Sequence, residues 1–419
     1  MPKGLYECVN CGHREVMDST EPLLEGACPK CGGDMILVKV LEGSESPESS
    51  EEAGEAAGIR ADVEALLRKF YSLELIEVQG AVAVFRVTEI HEQDFEAVLA
   101  ELEPLGYWAA LKRAGNEVRL FLFPAEQPKK DNPLVGATLF VLTLISTLWA
   151  GYVLGLSYVR TLSDLGIPTR QSPYLIAVAF SVSVMGILGT HELGHKVAAS
   201  MHNVRSTFPY FIPFPNLLGT LGAVIRVKSP IPTRKAAVDL GVSGPIAGLL
   251  VAIPVTMIGI KLSPVIPMSA LPGAAGKGIY FGTNLVFILL EKLILGARSG
   301  DNYLIQLHPV AIAGWVGIFV TFLNLIPAAQ LDGGHVARAF LPERAHRYLT
   351  LGLGLLILLM SYYWAGWAIW AILVLFLGAA GNPGALDEVS PVPLSRKALA
   401  LIAALIFIIT VTPVPFYTG

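Results

Sequence analysis

Charge is scarce in this 419-residue chain: 15% of its residues are Asp, Glu, Lys or Arg, while 53% are hydrophobic. Soluble domains carry about 25% charged residues, so an ordinary soluble protein is excluded. The net charge of -4 provides no basic field, and no nucleic-acid partner is expected. Cysteine is scarce too: there are four, all within the first 31 residues. No disulfide framework can therefore staple the rest. A cleavable leader is also missing: residues 1–40 are polar, and the first long apolar run starts near Pro133. No Arg/Ser-rich, acid-poor transit segment is visible. Direct insertion as a multi-pass protein of the cell membrane, with a cytosolic N-terminus, is the expectation.

What the chain has is apolar length. Runs near 133–157, 173–200, 237–262, 305–339, 346–364, 365–380 and 396–414 approach or exceed the ~20 residues that cross a bilayer. Basic residues orient them. Lys129 and Lys130 precede the first run. Arg226, Lys228, Arg234 and Lys235 separate the second from the third, Arg338, Arg344 and Arg347 follow the fourth, and Arg396 and Lys397 open the last. All fall on one side if the apolar stretch 278–296 does not cross, so that stretch reads as interfacial or re-entrant. The expected architecture is an all-α polytopic membrane protein of about seven spans over residues 129–419, behind an N-terminal extension.

The extension has three parts. Residues 1–40 hold Cys8-x-x-Cys11 and Cys28-x-x-Cys31. Two such knuckles fit one tetrahedral zinc in a closed four-thiolate shell, a structural zinc ribbon; two disulfides are the alternative. Residues 41–60 are Glu-, Ser-, Ala- and Gly-rich and read as a flexible acidic linker. Residues 61–128 read as a small soluble α/β domain in the order helix, strand, strand, helix, strand, strand. In it "AVAVFRV" alternates as a strand, and a hairpin turns at Gly115 and Asn116.

The chemistry sits in the membrane part. "GTHELGH" places His191 and His195 at i and i+4, on one helix face, where both imidazoles can bind one zinc; Glu192 is then placed to activate metal-bound water. Three ionisable groups near the end of a membrane helix are functional candidates by default. A catalytic zinc takes three protein ligands and leaves a position open. The best third ligand is Asp332 in "NLIPAAQLDGGH", where Pro327 interrupts the helix and Gly333 and Gly334 permit close backbone approach. Asn324, upstream, could hold substrate backbone or a developing oxyanion.

These motifs together resemble the site-2 protease family of intramembrane zinc metalloproteases. "GTHELGH" is similar to the family's HExxH helix and "NLIPAAQLDGGH" to its Asn-x-x-Pro…Asp-Gly element. "GTLGAVIRV" and "GVSGPIAG" resemble segments the family places between them. The resemblance covers roughly residues 130–415 and looks closest to the branch of archaea, cyanobacteria and plastids. It implies a site-2 protease core, His191, His195 and Asp332 as zinc ligands, Glu192 as acid and base, Asn324 in support, and transmembrane proteins as substrates. With the ribbon, two zinc ions per chain are expected, one catalytic and one structural. "GTLGAVIRVK" has strand character and is expected to offer an edge to an extended substrate.

Three alternatives stand beside this reading. A zinc-binding membrane carrier or inactive adaptor would share the ligands but does not need Glu192. A rhomboid-type serine protease would use Ser243 of "GVSG" with His308 or His335, although Ser243, Gly244, Ala247 and Gly248 are more simply a close-packing face. An aspartyl dyad of Asp239 and Asp332 has its glycines in the inverted order.

Overall fold

The computed structural model describes residues 3–9, 14–17, 23–24, 28–41, 61–91, 94–126, 131–268, 279–296 and 303–418. Cys11, the acidic linker from residue 42 onward, and Lys129 and Lys130 lie outside them.

The extension starts with four short strands, β1 (Lys3–Cys8), β2 (Arg14–Met17), β3 (Leu23–Leu24) and β4 (Met35–Leu41), in the order β2-β1-β4-β3. Next come α1 (Ala61–Phe70), β5 (Tyr71–Gln79), β6 (Val82–Ile90), α2 (Phe95–Leu102), β7 (Tyr107–Ala114) and β8 (Glu117–Pro124). Asp94 caps α2 by accepting from the Glu96 and Ala97 amides. The β7–β8 turn puts Gly115 at φ +64, a conformation that glycine adopts without penalty.

The helical part comprises α3 (Pro133–Asp164), α4 (Pro173–Met201), β9 (Tyr210–Pro213), β10 (Thr220–Val224), β11 (Ile231–Thr233) and α5 (Arg234–Leu262). It continues through β12 (Val265–Pro267), β13 (Ile279–Phe281), α6 (Leu285–Leu295), β14 (Tyr303–Ile305), α7 (Pro309–Asn324) and α8 (Asp332–Phe340). It ends with α9 (Glu343–Met360), α10 (Gly366–Ala379), β15 (Ala385–Asp387), α11 (Leu394–Thr410) and β16 (Phe416–Thr418). Capping explains where the long helices begin: Asn132, Ser172 and Thr233 accept from the first-turn amides of α3, α4 and α5, satisfying donors that a helix start leaves open.

Among the described residues, α3, α4 and α5 are long and apolar enough to cross a membrane. α7 and α10 are apolar but shorter, and α9 and α11 begin with charged residues. Three helices therefore meet the length and composition criterion, against about seven runs read from the sequence. α6 has 11 residues, a rise of about 16 Å, roughly half the ~30 Å hydrocarbon thickness. The helical core forms where α4, α5 and α7 meet, around Ile187, Ala252, Trp315 and Phe319.

The α/β unit is not closed on itself. Its sheet runs β11-β15-β7-β8-β6-β5, so two strands come from the connections before α5 and α11. β15 pairs parallel to β7 at Asp387 and Leu111, and β11 pairs parallel to β15. One sheet face, with Phe85, Leu111 and Leu120, packs under Val63 and Leu67 of α1 and Val98 of α2. The other face, with Val84, Ala110 and Phe121, meets Val9 and Ile36 of the N-terminal extension and Leu386 of β15. Lys112 on β7 pairs with Asp34 of the same extension.

A second joint is polar. His202, just past α4, donates from Nδ1 to Glu96 of α2 at 3.0 Å and from Nε2 to Asp239 of α5 at 2.9 Å. Thr233 donates to Glu96 at 2.8 Å, and Arg396 of α11 donates to Asp239 at 2.9 Å. The hydrogen bonds to Asp239 and Glu96 raise the His202 imidazole from 6.5 to about 9. Burial pushes the Glu96 carboxyl up, but the His202 and Thr233 bonds outweigh it and hold Glu96 below its ordinary 4.5. His202 is therefore a protonated bridge between two carboxylates that belong to different parts of the chain.

Candidate active site

His191, Glu192 and His195 lie in the C-terminal half of α4, all buried. Asp332 opens α8, after α7 ends at Asn324 and the chain turns through Leu325–Leu331. In that turn Ala329 takes φ +52, a left-handed conformation that costs a non-glycine residue free energy and persists where the surroundings enforce it. They do so here: its amide donates to Thr350 Oγ1 at 2.9 Å, and its carbonyl accepts from Asn382 Nδ2 at 2.9 Å. Arg338, one face further along α8, is buried but paired with Glu388 and with the Leu341 carbonyl. The start of α8 is thus pinned from α9 and from the loop that carries β15.

Three donor atoms converge. His191 Nε2 and His195 Nε2 are 3.1 Å apart, and Asp332 Oδ2 is 3.2 Å from the first and 3.3 Å from the second. Zinc bonds of about 2.0–2.1 Å in a tetrahedron separate the ligand atoms by about 3.3 Å, so the triangle has the size of one tetrahedral face. Asp332 Oδ2 is buried without a hydrogen-bond partner among the described residues, a costly state for an oxygen with no cation to satisfy it. His195 Nδ1 donates to the Leu240 carbonyl at 2.7 Å, which fixes the tautomer and leaves the Nε2 lone pair facing the other two donors. The residues fit a divalent metal such as zinc.

Close packing of α5 makes room for the imidazoles. A Cβ on Gly244 would lie 2.1 Å from His195 Nε2, and one on Gly248 would lie 3.1 Å from His191 Cβ. The "GVSGPIAG" segment therefore sits directly against the histidine rings. Ser243 Oγ donates to the Leu240 carbonyl. His308 caps α7 and bonds Gln171 at 2.9 Å, while Asp239 is occupied by His202 and Arg396. The structure brings neither a Ser243–His308 pair nor an Asp239–Asp332 pair together.

Glu192 Oε2 accepts from the Ile225 amide at 2.7 Å, at the end of β10. β10 pairs with β9 alone among the described residues. Asn324 Nδ2 lies 3.2 Å from His191 Nε2. A cavity of about 750 Å³ opens on this group, lined also by Ala223–Ile225, His335 and, from the α/β unit, Ala110, Lys112 and Phe123. In the N-terminal extension, Cys8, Cys28 and Cys31 place their sulfurs within 4.8 Å of one another, with Cys8 and Cys31 at 3.3 Å.

Residues 179–361 match the model of Peptidase family M50, a stretch that contains the whole converging cluster. The chain is similar to that family over this stretch. Over 241 residues it is 32% identical to "Probable zinc metalloprotease EGY1, chloroplastic" of Arabidopsis thaliana, covering 57% of this chain and 43% of that protein. Over 240 residues it is 27% identical to "Probable zinc metalloprotease EGY2, chloroplastic" of the same plant, covering 56% and 41%. The chain thus spans less than half the length of these curated relatives. A solved "Site-2 Protease from Methanocaldococcus jannaschii" is similar over 54% of this chain and 86% of its own, at 17% identity and a TM-score of 0.27, an overlay too loose for residue correspondence. The M50 match ends before α10 and begins after α3, so the ribbon and the α/β unit lie outside it.

Two features of this site had little sequence signal. Leu240 contributes a backbone carbonyl, which any residue could supply. The α/β contribution to the cavity depends on three-residue strands too short to show periodicity.

Proposed function

We propose that this chain is an intramembrane zinc metalloprotease that hydrolyses peptide bonds of transmembrane proteins. The observation that carries the reading is the triangle of His191 Nε2, His195 Nε2 and Asp332 Oδ2 with Glu192 next to it on the same helix. When bound, zinc supplies a Lewis acid that polarises a carbonyl and lowers the pKa of water toward ~7. The chain's own residues do the rest. His191, His195 and Asp332 hold the ion. Glu192 takes the proton of the attacking water and delivers it to the leaving nitrogen as the C–N bond breaks. Asn324 Nδ2, facing the same point, is placed to donate to the developing oxyanion. A membrane helix shields its own peptide bonds, so the substrate must be extended locally; the edge of β10, which ends one residue before Ile225 and its bond to Glu192, is the surface we assign to it.

In this reading the membrane domain (129–419) crosses about seven times, with α6 re-entrant and the N-terminus in the cytosol. The polar joints of His202, Arg396 and Arg338 then all lie in one cytosolic layer under the α/β domain (61–128). The ribbon (1–40) holds a second, structural zinc through Cys8, Cys11, Cys28 and Cys31, and the linker (41–60) connects the two.

The test compares cleavage of a single-span reporter by the purified chain and by Glu192→Gln, with bound zinc measured in both. The expected result is retained zinc and at least about a hundredfold slower cleavage in the variant, the range that general base catalysis supplies. Equal cleavage by the two would end the metalloprotease reading in favour of a carrier or adaptor.

A further inference from the structure

We infer that the α/β unit is part of the substrate site: Phe123, with Ala110 and Leu386, forms a subsite for one large apolar side chain of the extended substrate. The inference rests on the protease reading for its substrate, but its geometry is independent of it. The cavity that opens on His191, Glu192 and Asp332 is lined on another side by Ala110, Phe123 and Leu386. These are residues of β7, β8 and β15, in or beside an extramembrane sheet.

The wall is fixed in place rather than loosely apposed. Asp387 of β15 pairs with Leu111 of β7, and the Glu388 amide donates to the Leu111 carbonyl at 3.0 Å. Leu386 and Phe123 each pack against the cluster of Val84, Ala110 and Phe121. On the far side of α2, His202 bridges Glu96 and Asp239. The same loop that carries β15 also holds Arg338 of α8 through Glu388, so the wall and the Asp332 helix share one support.

The chemistry of the wall selects its ligand. Sheet register puts Trp108, Ala110 and Lys112 of β7 on one face with Phe123, Phe121 and Arg119 of β8. Near the cavity this face is apolar, and the Lys112 ammonium that also lines it is paired with Asp34 of the N-terminal extension. A peptide extended along β10 points successive side chains to opposite faces. Side chains on one of those faces meet this wall. A large apolar side chain gains burial against Phe123, whereas a carboxylate or ammonium set against these three apolar residues loses hydration without compensation from them.

The experiment uses the full chain, purified with zinc, and single-span reporters in which each residue flanking the cut is varied through Ala, Leu, Phe, Trp and Asp. Ratios of kcat/KM are compared in wild type, Phe123→Ala and Phe123→Trp. At one flanking position Phe123→Ala should move the Trp/Leu ratio upward by about tenfold or more, the size of effect that side-chain volume has in an apolar pocket. Phe123→Trp should move it downward. Ratios are taken within each variant, so a loss of folded protein cannot imitate the effect; unchanged ratios at every position overturn the subsite. If no reporter is cut, p-benzoylphenylalanine at position 123 in the Glu192→Gln chain decides the question. A photo-adduct on the reporter's extended segment keeps the wall while the protease reading falls, and no adduct overturns the wall as well.

Discussion

Gly244→Ala tests the metal centre from its packing side. The added Cβ would stand 2.1 Å from His195 Nε2 and 2.5 Å from Cδ2 and Cε1, where ordinary contact begins near 3.4 Å. Ring and helix must therefore separate by roughly 1.3 Å. The two helices are in close contact along this stretch, since a Cβ on Gly194 would lie 2.6 Å from the Ser243 carbonyl, so a separation here opens a well-packed interface. Metal–ligand distances hold within about ±0.2 Å, so His195 is lost as a ligand or α5 is displaced. Overpacking of this kind costs about 1–3 kcal/mol, and disturbing ligand orientation alone lowers metal affinity about 10–100-fold. The assay is zinc per purified chain after dialysis against a weak chelator, with reporter cleavage and Tm measured on the same samples. Gly244→Ala should lose one zinc equivalent and its cleavage. Gly186→Ala, in α4 with nothing within 4 Å of its Cβ, should keep both. A Gly244→Ala chain with wild-type zinc and cleavage would refute the placement of the His195 ring against this glycine.

Two further outcomes follow from the same geometry. Val224→Pro removes a backbone donor from β10 and should depress cleavage tenfold or more without removing zinc; cleavage at the wild-type rate would rule out the β10 edge as the substrate surface. The His202 bridge makes stability pH-dependent. Its imidazole is raised, so its contribution is complete below 6.5 and is lost as pH climbs through about 9. The Glu96 carboxyl is lowered, so its contribution is present above 4.5 and fades as pH falls through its folded value. Thermal unfolding of wild type should drop by roughly 2–4 °C between pH 7 and 10 beyond any drop in His202→Gln; parallel curves for the two would exclude the bridge.

The convergence of His191, His195 and Asp332 was legible because its chemistry is local. Two imidazoles at i and i+4 must share a face whatever the fold, and Asp332 stands in a Pro- and Gly-marked turn that an apolar span does not tolerate without reason. The element order of the α/β unit was legible as well, since its strands are eight or nine residues long. What joins the parts was not. β11 and β15 have three residues each, too few for a period. The partner of the small-residue face on α5 could be any helix until the rings of His191 and His195 are seen against it. His202 carried no motif, because its two carboxylates lie more than thirty residues away on either side.

The parallel pairing of β7 with β15 also sets an order of assembly. Leu111 is made early, and its partner Asp387 emerges only after α3 through α10 have been synthesised. Loop closure of that length delays the pairing, so during synthesis β7 is an exposed sheet edge. The cavity over His191 and Glu192 gains its last wall when the penultimate loop arrives. A nascent chain therefore holds its histidines and glutamate long before it has an enclosed chamber around them, and closure of the sheet marks the moment at which the helices have found their places.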